Sequence, residues 1–280
     1  MSWLDAIILG IIEGITEFLP ISSTAHLTIV EKLLGYTIDA PSITAFTAVI
    51  QIGAIAAAVL YFWSDIKRVA TAWLAGVADK TKRTQQDYRF GWAIIIGTIP
   101  AAVLGLLFSD VIETTLRSLW WVAGALIVWS FVLWFADKHS KGQRLEASAT
   151  WKDMLIIGAL QCVAFIPGIS RSGATISAGL FSGFNRVTAT RFSFFLGIPV
   201  LVAGGIYQAF KHWGAIVAEG GVGWLPTLIA TVVSFGVAYI TIAWLLKFIS
   251  SHNFSSFVWY RIVLGSAIIL LLVNGIISAV

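Results

Sequence analysis

Apolar residues in this chain run on without a polar face. Six stretches, residues 43–63, 92–109, 119–136, 188–210, 224–246 and 256–278, are apolar enough to cross a bilayer as helix, which takes about 20 residues. Tryptophans mark many of their ends: Trp63, Trp92, Trp120, Trp121, Trp134, Trp224, Trp244 and Trp259. An amphipathic ring is expected at headgroup depth. Two regions break the pattern. Residues 2–35 and 152–184 each hold a short apolar run, a polar stretch rich in Pro, Gly and Ser, and a second short apolar run. No such run crosses alone. Non-helical backbone at membrane depth is tolerated only where protein buries it or a wet cavity receives it, so both regions read as re-entrant helix-loop-helix hairpins.

Composition narrows the class. Of 280 residues 58% are hydrophobic and 11% charged, whereas a soluble domain carries about a quarter charged residues. A soluble fold is excluded, as is disorder, which needs low hydrophobicity and high net charge. The single cysteine, Cys162, excludes a disulfide-stapled module. The expected fold is an all-α, polytopic integral membrane protein forming one domain over residues 1–280. The net charge of +4 is spread through short loops, so no nucleic-acid face is expected. Residues 1–5 hold no basic residue, and Glu13 and Glu17 interrupt the first apolar run, so no cleaved signal peptide is expected.

The two hairpin regions resemble each other. At a constant offset of 148, Gly10 matches Gly158, Glu13 matches Gln161, Ile21 matches Ile169 and Ser22 matches Ser170, with Pro20 and Pro167 one position out of step. Each half, residues 1–136 and 152–280, reads as one hairpin followed by three spans. An odd number of crossings inverts the second half, and inverted repeats built on broken helices place their site where the repeats meet. If residues 64–91, 137–152, 185–191 and 247–255 share a side, that side holds 13 of the 18 Lys and Arg, against Lys32, Arg117 and Lys211 opposite. The positive-inside rule then puts the basic loops in the cytoplasm and both termini and the first hairpin's mouth outside.

Ionisable residues at membrane depth are costly and mark function; here they are Glu13, Glu17, His26, Arg171 and, nearer a boundary, Arg261. Glu13 and Glu17 lie a turn apart on one helix face. Two adjacent carboxylates suit a divalent cation or a proton relay, or an intramembrane ion pair with Arg171. Beyond Pro20, Ser22 and Ser23 can cap the next helix, or one can act as a nucleophile with His26 as its base. The second hairpin carries Pro167, Gly168, Ile169, Ser170, Arg171, Ser172, Gly173, Ala174 and Thr175. Glycine backbone, three hydroxyls and a planar guanidinium describe a phosphate cradle. It is neither a Walker loop nor a hydrolase elbow, so ATP-dependent chemistry is unsupported. A diphosphate between the hairpins would be repelled by glutamates alone. Mg²⁺ or Ca²⁺ on Glu13 and Glu17, with Arg171 opposite, balances the charge. The in-line nucleophile is then Ser23, with His26 as base, or a metal-held water. Gly10 and Gly14, spaced by four, allow close backbone approach, within the chain or across a homodimer.

At these residues the chain resembles, over its whole length, the bacterial undecaprenyl-diphosphate phosphatases, the integral-membrane family linked with bacitracin resistance. Glu13-Gly-Ile-Thr-Glu17 matches that family's (E/Q)xxxE motif, Pro20-Ile-Ser-Ser-Thr-Ala-His26 its serine-rich stretch, and Pro167 to Thr175 its PGxSRSxxT motif. The resemblance implies a multi-pass protein of the bacterial inner membrane that hydrolyses undecaprenyl diphosphate to undecaprenyl phosphate and phosphate, recycling the lipid carrier of peptidoglycan synthesis. It also implies dependence on a divalent cation and a site facing the periplasm. By position, Glu13 and Glu17 would hold metal and diphosphate, Ser23 would be the nucleophile and His26 its proton partner. Arg171 would clamp phosphate, with Ser22, Ser170, Ser172 and Thr175 contributing to substrate binding. A flippase or secondary transporter shares the architecture of broken helices and buried charge, and is the competing expectation.

Overall fold

The computed structural model describes residues 1–38, 40–107, 118–217 and 221–279, and these form eleven α-helices. Capping residues set the start of each short helix. Helix α1 (Trp3–Thr16) begins where Ser2 accepts a hydrogen bond from the Asp5 amide at 3.1 Å. It ends four residues before Pro20, and α2 (Ser23–Leu33) opens at once on the Ser22 cap. In the second hairpin α7 (Trp151–Gln161) opens on a capping box of Thr150 and Asp153, a 3-10 turn covers Cys162–Phe165, and α8 (Arg171–Phe181) opens on Ser170.

Among the described residues six helices are long and apolar enough to cross a membrane: α3 (Pro41–Tyr61), α5 (Gln86–Leu107), α6 (Leu119–His139), the Arg186–Tyr207 part of α9 (Arg186–Val217), α10 (Trp224–Ile249) and α11 (Ser255–Val273). They coincide with the six expected stretches within a few residues. The end of the second stretch, residues 108–109, and Arg117 of the charge count lie outside the described residues. Helix α4 (Trp63–Ala78) was not expected from the sequence. It is amphipathic rather than uniformly apolar, with Val69 and Gly76 buried and Trp63 and Leu74 exposed, so the search for long apolar runs passes over it.

Packing interleaves the two halves of the chain. Helix α1 lies along α10, and α7 lies along α5, so each hairpin rests on a span contributed by the other half. The approach is backbone to backbone. A Cβ on Gly10 would come within 2.5 Å of the Ala230 carbonyl, and one on Gly14 within 2.8 Å of Ser234 O. A Cβ on Gly158 would run into the Gly97 carbonyl. Between helices in lipid, small residues of this kind give the close van der Waals contact that drives association. The Gly10/Gly14 stripe is therefore used inside the molecule and does not face a second copy.

The four basic segments meet on one side. Arg191 donates to both Glu146 (2.8 Å) and Asp65 (3.1 Å), and Asp137 accepts from the Phe254 amide at 3.0 Å. These contacts tie residues 64–91, 137–152, 185–191 and 247–255 together, as the charge distribution requires. Arg144 adds a two-pronged pair to Asp153, with both distances 2.7 Å. Burial lifts the Asp153 carboxyl, but hydrogen bonds from Arg144 and Thr150 outweigh it and hold the group below the ordinary carboxylate range.

Candidate active site

The two hairpin turns have the same local geometry. Ser22 (φ 74°) and Ser170 (φ 76°) are the non-glycine residues with positive φ among those described, and they stand at the offset that relates the two halves. Each caps the following helix, accepting from the amide three residues on: Ala25 at 3.4 Å and Gly173 at 3.2 Å. Left-handed backbone costs a non-glycine residue about 1–2 kcal/mol and persists only where surroundings enforce it. Here the cap holds it, and the turn delivers the next side chain, Ser23 in one hairpin and Arg171 in the other, to the junction.

Glu17 joins the two. Its Oε2 accepts the Ser23 hydroxyl at 2.7 Å and the Gln51 side-chain amide at 3.4 Å, while its Oε1 lies 3.5 Å from Nη2 of Arg171. The intramembrane ion pair is thus present, and the same carboxylate also holds a hydroxyl. Arg171 is fixed from behind. Its Nη1 donates to the Ser193 carbonyl at 2.9 Å and packs on Gly197, where any side chain would displace the guanidinium. Nε and Nη2 of Arg171 are buried without a hydrogen-bond partner, as is Oε1 of Glu13. Buried polar groups are ordinarily satisfied. A guanidinium with Nε unpaired and Nη2 held by an ion pair at 3.5 Å rather than a hydrogen bond fits phosphate oxygens.

A cavity of about 100 Å³ lies at this junction, lined among others by Glu17, Ser22, Ser23, Gln51, Ser170 and Arg171. Of the nine residues expected in the site, Glu17, Ser22, Ser23, Ser170 and Arg171 line it. The other four stand behind. Ser172, fully buried, donates to the Leu19 carbonyl at 2.9 Å and so bonds one hairpin directly to the other. Thr175 is also fully buried, donating to the Arg171 carbonyl at 2.8 Å and lying 2.7 Å from Ser193 Oγ. Neither lines the cavity: Ser172 ties the two hairpins together, and Thr175 braces the backbone of Arg171.

His26 departs from its expected role as the base for Ser23. Nδ1 lies 2.7 Å from the Ser22 carbonyl and Nε2 lies 2.7 Å from the Tyr260 hydroxyl, with the two rings stacked. A carbonyl only accepts, so Nδ1 carries a proton, and Nε2 shares the hydrogen bond with the Tyr260 hydroxyl. Both nitrogens are engaged away from Ser23, whose hydroxyl goes to Glu17. Helical spacing brings Ser23 and His26 to one face of α2 but does not show which acceptor lies across the turn.

Among the described residues no three His, Cys, Asp or Glu side chains converge as a preformed metal cluster. Glu13 and Glu17 nonetheless fit a hard divalent cation: both are carboxylates, both are buried, and Glu13 Oε1 is unmatched. Mg²⁺ is commonly held by one or two carboxylates, with substrate phosphates and water completing its shell.

Gln51 and Tyr260 were missed by the sequence reading. Gln51 is a polar residue in an otherwise apolar span, a signal that a search restricted to ionisable residues does not use. Nothing in the local sequence around Tyr260 points to a histidine 234 positions away.

The family model described as bacitracin resistance protein BacA matches residues 6–267. The chain is 58% identical over 284 residues to an undecaprenyl-diphosphatase of Cutibacterium acnes and 57% identical over 279 residues to undecaprenyl-diphosphatase 3 of Frankia casuarinae, in each case over 100% of both chains. It is 48% identical over 276 residues to undecaprenyl-diphosphatase 1 of Streptomyces coelicolor, covering 98% of each chain.

Proposed function

Because the chain belongs to the bacitracin resistance protein BacA family, we propose that it is a multi-pass undecaprenyl-diphosphatase of the bacterial inner membrane, with its chemistry at the junction of the two hairpins. It hydrolyses undecaprenyl diphosphate to undecaprenyl phosphate and inorganic phosphate. The observation that carries the assignment of the site is the sharing of Glu17 between Ser23 and Arg171. A carboxylate that accepts a hydroxyl proton and orients a phosphate-binding cation serves both partners of a phosphoryl transfer.

In this reading Arg171 takes the terminal phosphate through Nε and Nη2, and Ser170 and Ser22 border it with their hydroxyls. The Ser23 hydroxyl gives its proton to Glu17 as its oxygen attacks the terminal phosphorus. The bond to the bridging oxygen breaks, and undecaprenyl phosphate leaves with that oxygen. Water then cleaves the phosphoserine, releasing phosphate and restoring the hydroxyl. Glu13 and Glu17 would hold the divalent cation, which supplies charge neutralisation for the diphosphate. His26 and Tyr260 anchor the start of α2 and take no proton from substrate. The polyprenyl tail stays in lipid, so no large pocket is needed. The positive-inside argument supports a junction reached from the periplasmic side.

The test is phosphate release from undecaprenyl diphosphate by purified protein in detergent, with and without EDTA, for wild type, Glu17→Ala, Ser23→Ala and Arg171→Ala. Cation-dependent turnover lost in all three variants supports the reading. Retained turnover in Ser23→Ala replaces the serine by activated water, and no release by folded wild type overturns the enzyme and leaves a lipid carrier.

A further inference from the structure

Arg261 lies in α11 with its side chain fully buried, and the chemistry above makes no use of it. Its hydrogen bonds go to unusual places. Nη1 donates to the carbonyl of Pro20 at 3.0 Å, in the turn of the first hairpin, and Nη2 donates to the carbonyl of Gly168 at 3.0 Å, in the turn of the second. Nε donates to Ser130 Oγ at 3.1 Å on α6. Among the described residues none of its partners is a carboxylate.

A buried cation without a counter-charge is expensive and is kept where its geometry is needed. The geometry here is specific. Pro20 stands two residues before Ser22 and three before Ser23; Gly168 stands two before Ser170 and three before Arg171. The guanidinium therefore grips the two turns at matching positions, and α6 holds the guanidinium. Only a rigid fork with several donors reaches three segments at once; a lysine ammonium is a single point.

We propose that Arg261 is a positioning residue that sets the separation of the two hairpin turns, and with it the distance from Ser23 and Glu17 to the phosphate held by Arg171. The kinetic part of this inference rests on the phosphatase reading; the mechanical part does not. Misplacement of reacting groups by about 1 Å can reduce turnover about 100-fold without contact with substrate.

The experiment compares purified wild type with Arg261→Gln and Arg261→Lys, by amide hydrogen exchange without substrate and by steady-state hydrolysis of undecaprenyl diphosphate. Expected in Arg261→Gln is exchange at least about tenfold faster in both turns, residues 18–24 and 166–173, with α3 and α9 unchanged. With it comes a fall of about 100-fold in kcat and a KM within about threefold of wild type. Arg261→Lys falls between. If Arg261→Gln does not fold, Arg261→Lys and Ser130→Ala are read instead, and smaller changes of the same kind are expected. Wild-type exchange in both turns, equal acceleration throughout the protein, or undiminished kcat in a folded variant overturns the proposal. The exchange result stands without turnover, so an inactive wild type fails the phosphatase reading and not this one.

Discussion

The two hairpins share a turn and differ in charge. Both run from a short helix through a strained serine cap into a second short helix, and the caps agree to within a few degrees in φ. What the turns carry is opposite in kind. The first presents Ser23 beside the carboxylates Glu13 and Glu17. The second presents Arg171, and at the position matching Glu13 it has Gln161, buried with no partner for either side-chain polar atom. Two turns of like geometry thus carry one anionic and one cationic set of side chains, with Glu17 the atom-level link between them.

Breaking the link has the largest expected effect. Glu17→Gln keeps the shape, removes the acceptor for the Ser23 proton and leaves Arg171 without its anion, so kcat should fall roughly 1,000-fold, measured as phosphate release. Arg171→Lys keeps the charge and loses the fork. With Gly197 and Ser193 shaped for a guanidinium, a loss of about 100-fold is expected, and an equal activity of Lys would show that charge alone is read.

Other changes sharpen what the hairpins have in common. Ser22→Ala and Ser170→Ala each remove one cap, so each should reduce stability by about 1 kcal/mol, seen as similar falls in Tm; a large inequality would mean that the turns are held differently. The smallest effect is one of pH at the base of the second hairpin. The Asp153 carboxyl is held low by Arg144 and Thr150 against the opposing effect of burial. Its contribution to stability is therefore complete above the unfolded value of about 3.9 and is lost as pH falls through the lower folded one. Thermal unfolding should show Tm independent of this group at neutral pH and declining only below about pH 4. Asp153→Asn should lower Tm at neutral pH and flatten that acid decline.

Much of this was legible from the chain. Long apolar runs must become spanning helices because lipid satisfies no backbone polar groups, and the Pro-Ile-Ser-Ser and Pro-Gly-Ile-Ser stretches end one helix and cap the next by local chemistry alone. Glu17, Ser23 and Arg171 were visible as polar groups in places where polarity is expensive. Pairing was not visible. Ser23 and His26 are near in sequence, yet the hydroxyl turns back to Glu17 and the imidazole reaches across to Tyr260. Ser172 and Thr175 belong to the same motif as Arg171, yet their hydroxyls go to the Leu19 and Arg171 carbonyls, because a mostly buried eleven-residue helix must direct part of any motif into packing. Helix α4 escaped for the opposite reason: its apolar side is one stripe, not a run.

In the proposed mechanism one carboxylate couples the two hairpins, and a double-mutant cycle on Glu17→Gln and Arg171→Ala measures that coupling. Coupled residues lose activity non-additively, so the double variant should release phosphate about as fast as the slower single variant. Losses that multiply would show that the two hairpins act independently and that Glu17 does not couple them.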